Sequence, residues 1–504
     1  MAVAGRTRGT IELAGADLPG RSGAADSPNR STMSDRLRAA DAAFLAAESS
    51  RAPRHVAVLM VLEPGDGGLD HEALLRIIDD RIALVPRYRQ RVHPVLGGLA
   101  GPAWIDDDTF DLSYHVRRSA LPRPGSMAQL QDLTSRLIAR PLDRQRPLWE
   151  LYLIEGLRQG RVAILLKGHQ TLIDGIETVA LGQIIMDTSP EPRDVPAVDW
   201  HPQPPSSQLR LVADSIRQTA RHPEQLFSQV ATTARAFAGA TGRHLPGAPR
   251  GLPASPLSAD LSLQRSFVTV EATLDDHRAV RDAHGGTIND VVLCVVTGAL
   301  RSWLLSRSEP AGPGARIKAM APMSVHDDAA EPNSLGSRVA GHLLSLPVGE
   351  ANPVVRLQHI SYALKAHKET GRAVSADRLV ATPGLASTTF QALGSRVADS
   401  QAALPYQLVV SNVPGPQEPM YAGGARLVAT YPALPLTESR VLAVGVSSYD
   451  GGVFYGVTAD SVAVPDAAVL APCLSEALEE LVDTTRPGRS RAPRGRSARR
   501  RKPS

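Results

Sequence analysis

A mixed α/β (α+β) architecture in two lobes is what this sequence predicts, on three observations. The chain has 504 residues, more than one ordinary core accommodates, so two to three domains are expected. Apolar residues at strand period and at helix period interchange along both halves. Between the halves, residues 187–208 carry six prolines and read as a linker.

The elements follow in order. "AADAAFLAAESS" from Ala39 reads as a short helix and "HVAVLMVLEP" as a strand. "DHEALLRIIDDRIALVPRYRQRV" reads as one amphipathic helix, with Leu74, Ile77, Ile78, Ile82 and Val85 at helical spacing and Asp70 as N-cap. "WELYLIEGLRQGRVAILLKGHQ" is two strands joined by a turn containing glycine, and "GIETVALGQIIMD" restarts the helical period. Beyond the linker, a stretch interrupted by Pro223 is helical. Its apolar positions, among them Leu209, Val212, Ile216 and Phe227, pack on the core or face a partner or membrane. In the second half "SFVTVEATL" is a strand, "INDVVLCVVTGALRSWLL" a helix, and "YQLVVSNVP" a strand entering a Pro-Gly turn. "VLAVGVSSYDGGVFYGVTAD" is a hairpin turning at "DGG".

Composition excludes several classes. Hydrophobic content is 43% but aromatics only 4%, so the core relies on Leu, Val, Ile and Ala. Cys294 and Cys473 are the only cysteines, which excludes a disulfide scaffold and a thiolate zinc site and suits a reducing compartment. No metal site is expected. No apolar run approaches the roughly 18 residues of a membrane span, and the N-terminus lacks the apolar stretch of a secretory signal. The last nineteen residues hold nine Arg or Lys and no acid, so the formal charge of +4 becomes −5 once these are set aside. That tail reads as disordered. It is a solvated extension or an attachment to anionic lipid. Nucleic acid is not expected as a partner, because no aromatic interleaves the basic residues.

Five segments, in this order, resemble the bacterial wax ester synthase/diacylglycerol acyltransferase family: "DAAFLAAE", "RPLDRQRPLWELYLIEGL", "GHQTLIDG", "GGTINDVVLCVVTGALR" and "YQLVVSNVPGPQEPMYAGGARL". The resemblance runs from about Asp41 to about Asp466. It implies two chloramphenicol-acetyltransferase-like lobes with a channel between them. It also implies transfer of a fatty acyl group from acyl-CoA, a co-substrate rather than a resident cofactor, to diacylglycerol or a long-chain alcohol. With it the chain divides into a disordered extension (1–32), a first lobe (33–200), a helical, proline-rich connector (201–260), a second lobe (261–485) and the basic tail (486–504). Met33 opens the structured pattern and is an alternative start. Such an acceptor is nearly insoluble in water, so a cytoplasmic protein attached peripherally to a membrane or lipid droplet is expected.

The segment "GHQTLIDG" stands where that family has His-His-x-x-x-Asp-Gly, whose second His would act as general base on the acceptor hydroxyl. Here that position is Gln170, which cannot take a proton at neutral pH. If the strand continues through the motif, His169 shares a face with Lys167 and Gln170 with Gly168, so His169 does not simply inherit the role. His169 is a surrogate base or a hydrogen-bonded core residue; Gln170 can orient a hydroxyl or donate to an oxyanion. Asp174 holds the motif loop or caps the helix that follows, and Gly175 allows close approach of substrate or a tight turn. Asn289 and Asp290 lie near the family's channel or cap their helix. Ser411 and Asn412 line the site or form the turn before "VPGP". Two enzymes and a binder remain open: an acyl-CoA-dependent O-acyltransferase, a transferase acting on carrier-protein thioesters, and a family member that binds acyl-CoA or lipid with impaired turnover.

Overall fold

The computed structural model describes residues 37, 39–65, 68–95, 100–172, 181–195, 200–202, 255–326, 337–367, 391, 395 and 404–486. The expected extension 1–32, the helical connector stretch beginning at Leu209, and the tail beyond Arg486 lie outside these residues.

The first half supplies β1 (His55–Glu63), the ribbon β2 (Gln90–Val95) and β3 (Ala100–Asp106), then β4 (Val116–Ala120), β5 (Trp149–Glu155) and β6 (Val162–His169). The second supplies β7 (Arg265–Thr273), β8 (Ile317–His326), β9 (Ser337–Leu346), β10 (Leu408–Pro414), β11 (Tyr421–Ala422), β12 (Ala425–Ala433), β13 (Leu442–Tyr449) and β14 (Gly452–Asp460). Two mixed six-stranded sheets result. The first runs β11-β12-β1-β6-β5-β4 and the second β7-β14-β13-β10-β8-β9. β1 is buried along all but its last residue, as a strand flanked by β12 and β6 and covered on both faces must be.

Local signals hold where the chain alone decides. Asp70 caps the helix His71–Arg81, its carboxylate accepting from the Ala73 N–H at 2.8 Å. The hairpin β13–β14 turns at Asp450 and Gly451, both at positive φ (43° and 78°), the pairing a tight two-residue turn requires. The long helix expected from Asp70 onward instead stops at Arg81. Two 3-10 turns follow, Ile82–Leu84 and Pro86–Arg89, before β2. Pro86 is the cause: it bars helical geometry at Val85, which sits at φ −130°, ψ 68°.

The helix Ile288–Ser306 corrects the expectation that no segment rivals a membrane span. An 18-residue window of it has a mean hydropathy of 1.5, yet 72% of that window is buried inside the protein. It is the central helix of the second core, packed on Leu357, Leu474 and Leu478.

Strands β11 and β12 come from the second half but complete the first sheet, a crossing that a division of the sequence by position does not anticipate. Pro432 of β12 pairs with Val58 of β1 and at the same time lies against Gly445 and Gly456, which face each other on β13 and β14. A second join is polar. Gln131 donates to Thr269 at 2.7 Å, and the Phe267 N–H donates to the Ser135 hydroxyl at 2.8 Å, so the helix Met127–Ile138 of the first lobe is tied to β7. Arg265 completes it, paired with Asp460 at 3.2 Å while donating to the Arg51 carbonyl.

Candidate active site

Strand β6 ends at His169, and Gln170–Leu172 form a 3-10 turn. The strand therefore does not run through the motif, and strict alternation does not set the direction of the Gln170 side chain. The turn is held by its backbone: the His169 N–H donates to the Leu148 carbonyl at 2.9 Å and the Gln170 N–H to the Arg54 carbonyl at 3.1 Å. Leu148 belongs to the Pro-Leu-Trp segment, so that segment and the motif are joined here through the backbone. Trp149 stands opposite Gly168 and is fully buried, its indole N–H on the Tyr88 carbonyl at 2.7 Å.

His169 is 1% exposed. Its Nδ1 receives the Thr171 backbone N–H at 3.2 Å and lies 2.9 Å from the Thr171 hydroxyl. A nitrogen that accepts an N–H carries a lone pair, so the proton of the neutral ring sits on Nε2. Nε2 faces the Glu48 carboxylate at 3.7 Å, beyond hydrogen-bond length but within reach of an electrostatic contact. Neither nitrogen presents a lone pair to a substrate. The geometry favours the hydrogen-bonded reading of His169 over the surrogate-base reading.

Glu48 and Arg144 are the residues that the sequence reading missed. Arg144 donates twice to Glu48 Oε2, at 3.0 and 2.6 Å, and once to the Leu45 carbonyl at 2.7 Å. The Arg54 N–H donates to Glu48 Oε1 at 3.0 Å. Burial alone would raise the Glu48 carboxyl, but nearby His169, the Arg54 N–H and the Arg144 guanidinium outweigh it and hold it at about 2. Both residues lie inside segments that carry the family resemblance, Glu48 closing "DAAFLAAE" and Arg144 within "RPLDRQRPLWEL". That was the available signal.

Around this group lies a buried polar layer. Lys167 donates to the Arg140 carbonyl at 2.9 Å and pairs with Glu150 at 3.3 Å; burial lowers its pKa. His55, directly across from His169 on β1, is hydrogen-bonded to the Ile138 carbonyl at 2.9 Å. Burial and Lys167 hold His55 well below the usual histidine range, and burial pushes His115 down to about 4.

These shifts predict how stability depends on pH. Both imidazoles stay neutral when folded and take up protons when unfolded, so they stabilise fully above about pH 6.5. That contribution shrinks as pH falls, for His115 until about pH 4. Glu48 adds a second loss between its ordinary value of 4.5 and about 2. Unfolding free energies from urea titrations should therefore fall steadily from pH 7 to pH 5, with a slope of up to about 1.4 kcal/mol per pH unit for each histidine. His115→Gln should reduce that slope; an unchanged slope would contradict the assignment.

In the second lobe the Asn412 side-chain amide donates to Asn289 Oδ1 at 3.1 Å, so these two expected site residues do meet. Asp290 does not join them. It closes a capping box with Thr287, accepting the Thr287 N–H at 3.0 Å and hydroxyl at 2.6 Å, and also accepts from Ser361 at 2.8 Å. Ser411 is buried on β10 beside Gly445, one strand from the contact with Pro432. Asp174 and Gly175 lie outside the described residues. His169 ends a strand of the first sheet and Gln170 begins the turn after it, while the Asn289–Asn412 pair belongs to the second lobe. Among the described residues no cluster of His, Cys, Asp or Glu could hold a metal.

Two mixed sheets joined by an exchanged strand define the two-lobed CoA-dependent acyltransferase class. The first condensation domain of the CDA synthetase shares the fold at TM-score 0.52 and 16% identity, covering 91% of this chain and 98% of that one. The wax ester synthase/diacylglycerol acyltransferase from Marinobacter aquaeolei VT8 superposes with TM-score 0.63 at 25% identity, covering 90% and 99%. Residues 37–292 match the wax ester synthase/diacylglycerol acyltransferase catalytic domain and residues 335–482 the C-terminal domain of that family. The chain belongs to this family and is an acyltransferase of its type. A probable diacylglycerol O-acyltransferase of Mycobacterium tuberculosis (tgs2) is 32% identical over 89% of this chain and 98% of its own length. Another from that species (tgs3) is 42% identical over 49% of this chain and 96% of its own length.

Proposed function

We propose that the chain transfers a fatty acyl group from acyl-CoA to the hydroxyl of diacylglycerol or a long-chain alcohol, making triacylglycerol or wax ester, chiefly by positioning. One observation carries the reading: Glu48, His169 and Thr171 form a network that supports the motif turn, while the position of the base is glutamine. In this reaction the acceptor oxygen attacks the thioester carbonyl, the tetrahedral intermediate collapses, and the CoA thiolate leaves and takes up the proton. The thioester is already activated, so no acyl-enzyme and no resident cofactor is required. His169 acts as a positioning residue that fixes the turn, and the Gln170 amide N–H is a donor suited to the oxyanion. General-base help contributes roughly 10²–10⁴-fold, so turnover without it is slow.

Purified protein with labelled acyl-CoA and diacylglycerol tests this. Weak but measurable ester formation is expected. Robust activity abolished by His169→Ala would instead make His169 the base. Tight acyl-CoA binding with no ester would support the second reading, a binding member of the family, which Gln170 favours.

The poorly soluble acceptor also calls for attachment to a membrane or lipid-droplet surface. The basic tail is the proposed contact, each basic residue near an anionic surface contributing on the order of 1 kcal/mol. Full-length protein should sediment with anionic liposomes more strongly than protein ending at Thr485; equal binding would remove the tail from this role.

A further inference from the structure

A concavity lined by none of the motif residues lies in the second lobe. It is a cleft of about 560 Å³ between β7 and the helices Leu274–His284 and Leu470–Asp483. Val295 and Leu474 are part of its floor, and Glu271, Asp276, Glu479 and Asp483 stand around it. Of these four acids, Asp483 alone has a cationic partner among the described residues, Arg486 at 3.4 Å. Arg486 itself lines the cleft. It is also the first of the nine basic residues of 486–504, a segment with no acid.

We propose that this cleft is the docking site of the chain's own basic tail. The charges are complementary and the tether is immediate. The segment leaves from the rim of the cleft, and beyond Arg486 it can extend up to roughly 60 Å, so no acid of the rim is out of reach. Single exposed ion pairs are weak. Several made together by a tethered segment act at high effective concentration. Docking holds the positive charges away from other anions until a stronger anionic surface competes for them. The inference is independent of the chemistry at the motif.

Trace trypsin digestion of the full-length chain tests it, with release of fragments beyond Arg486 followed by mass. The wild type is compared with Glu271→Gln/Glu479→Gln, which adds no cleavage site and keeps side-chain size. At low salt the variant should lose its tail about fivefold faster than the wild type. At about 0.5 M salt, where such contacts are screened, the ratio should approach one. Equal rates at low salt, with thermal unfolding of both proteins unchanged, would overturn the proposal. So would a wild-type tail cut freely in solution and protected only on anionic vesicles, an outcome that would assign the tail to lipid.

Discussion

Gln170→His is expected to raise acyl transfer by on the order of 10²-fold, the lower end of what a general base contributes. The backbone at this position is fixed on both sides. The Gln170 N–H is bonded to Arg54, and His169 is anchored by Leu148 through its backbone and by Thr171 through its ring. A new imidazole would thus start from a Cα already held in place. The gain should appear in kcat more than in KM, because the proton moves only in the transition state. It should also change the pH profile. A histidine base works only when neutral, so the variant should lose activity below about pH 6.5, whereas the wild type has no such limb from this residue. His169→Ala in the Gln170→His background should then reduce the gain by loosening the turn. No rise on Gln170→His would mean that position 170 does not face the reacting atoms.

How far the site was legible follows from the range of each interaction. The Asp70 cap, the "DGG" turn and the Thr287–Asp290 box close within a few residues, and the sequence states them locally. The box shows the limit of that, since Asp290 is read equally well as a cap or as a channel residue until the hydroxyls of Thr287 and Ser361 are seen upon it. Glu48 and Arg144 meet across 96 positions, and no periodicity encodes that contact. β12 is equally silent. The segment "ARLVATYPA" is not among the elements read from the sequence, and nothing in it says that it joins β1 of the first half rather than its neighbours in the second. Pro86 could have been read, because a proline following a helical run bars helix at the preceding residue. For His169, sequence alone offers two roles. The Thr171 N–H on its Nδ1 separates them, and only coordinates supply it.

Gly456→Ala is expected to cost the protein at least about 1–3 kcal/mol, the range for forcing a methyl into a packed interior, and to impair acyl transfer beyond that loss. A Cβ at Gly456 would lie 2.0 Å from the Pro432 carbonyl oxygen, and one at Gly445 would lie 2.8 Å from the Pro432 ring. Neither contact is with the end of a flexible side chain. Pro432 is fixed in the first sheet by its pairing with Val58, so it cannot retreat without moving β1. β1 in turn pairs with β6 up to His55 and His169. A methyl on the second sheet therefore presses, through one exchanged strand, on the end of the strand that carries the motif. Gly312→Ala is the control, since nothing lies within 4 Å of its Cβ position. It should change stability little, while Gly456→Ala lowers the melting temperature or yields insoluble protein. Wild-type melting and wild-type activity for Gly456→Ala would show that the two sheets do not depend on this contact, and the coupling from β12 to the motif would fail with it.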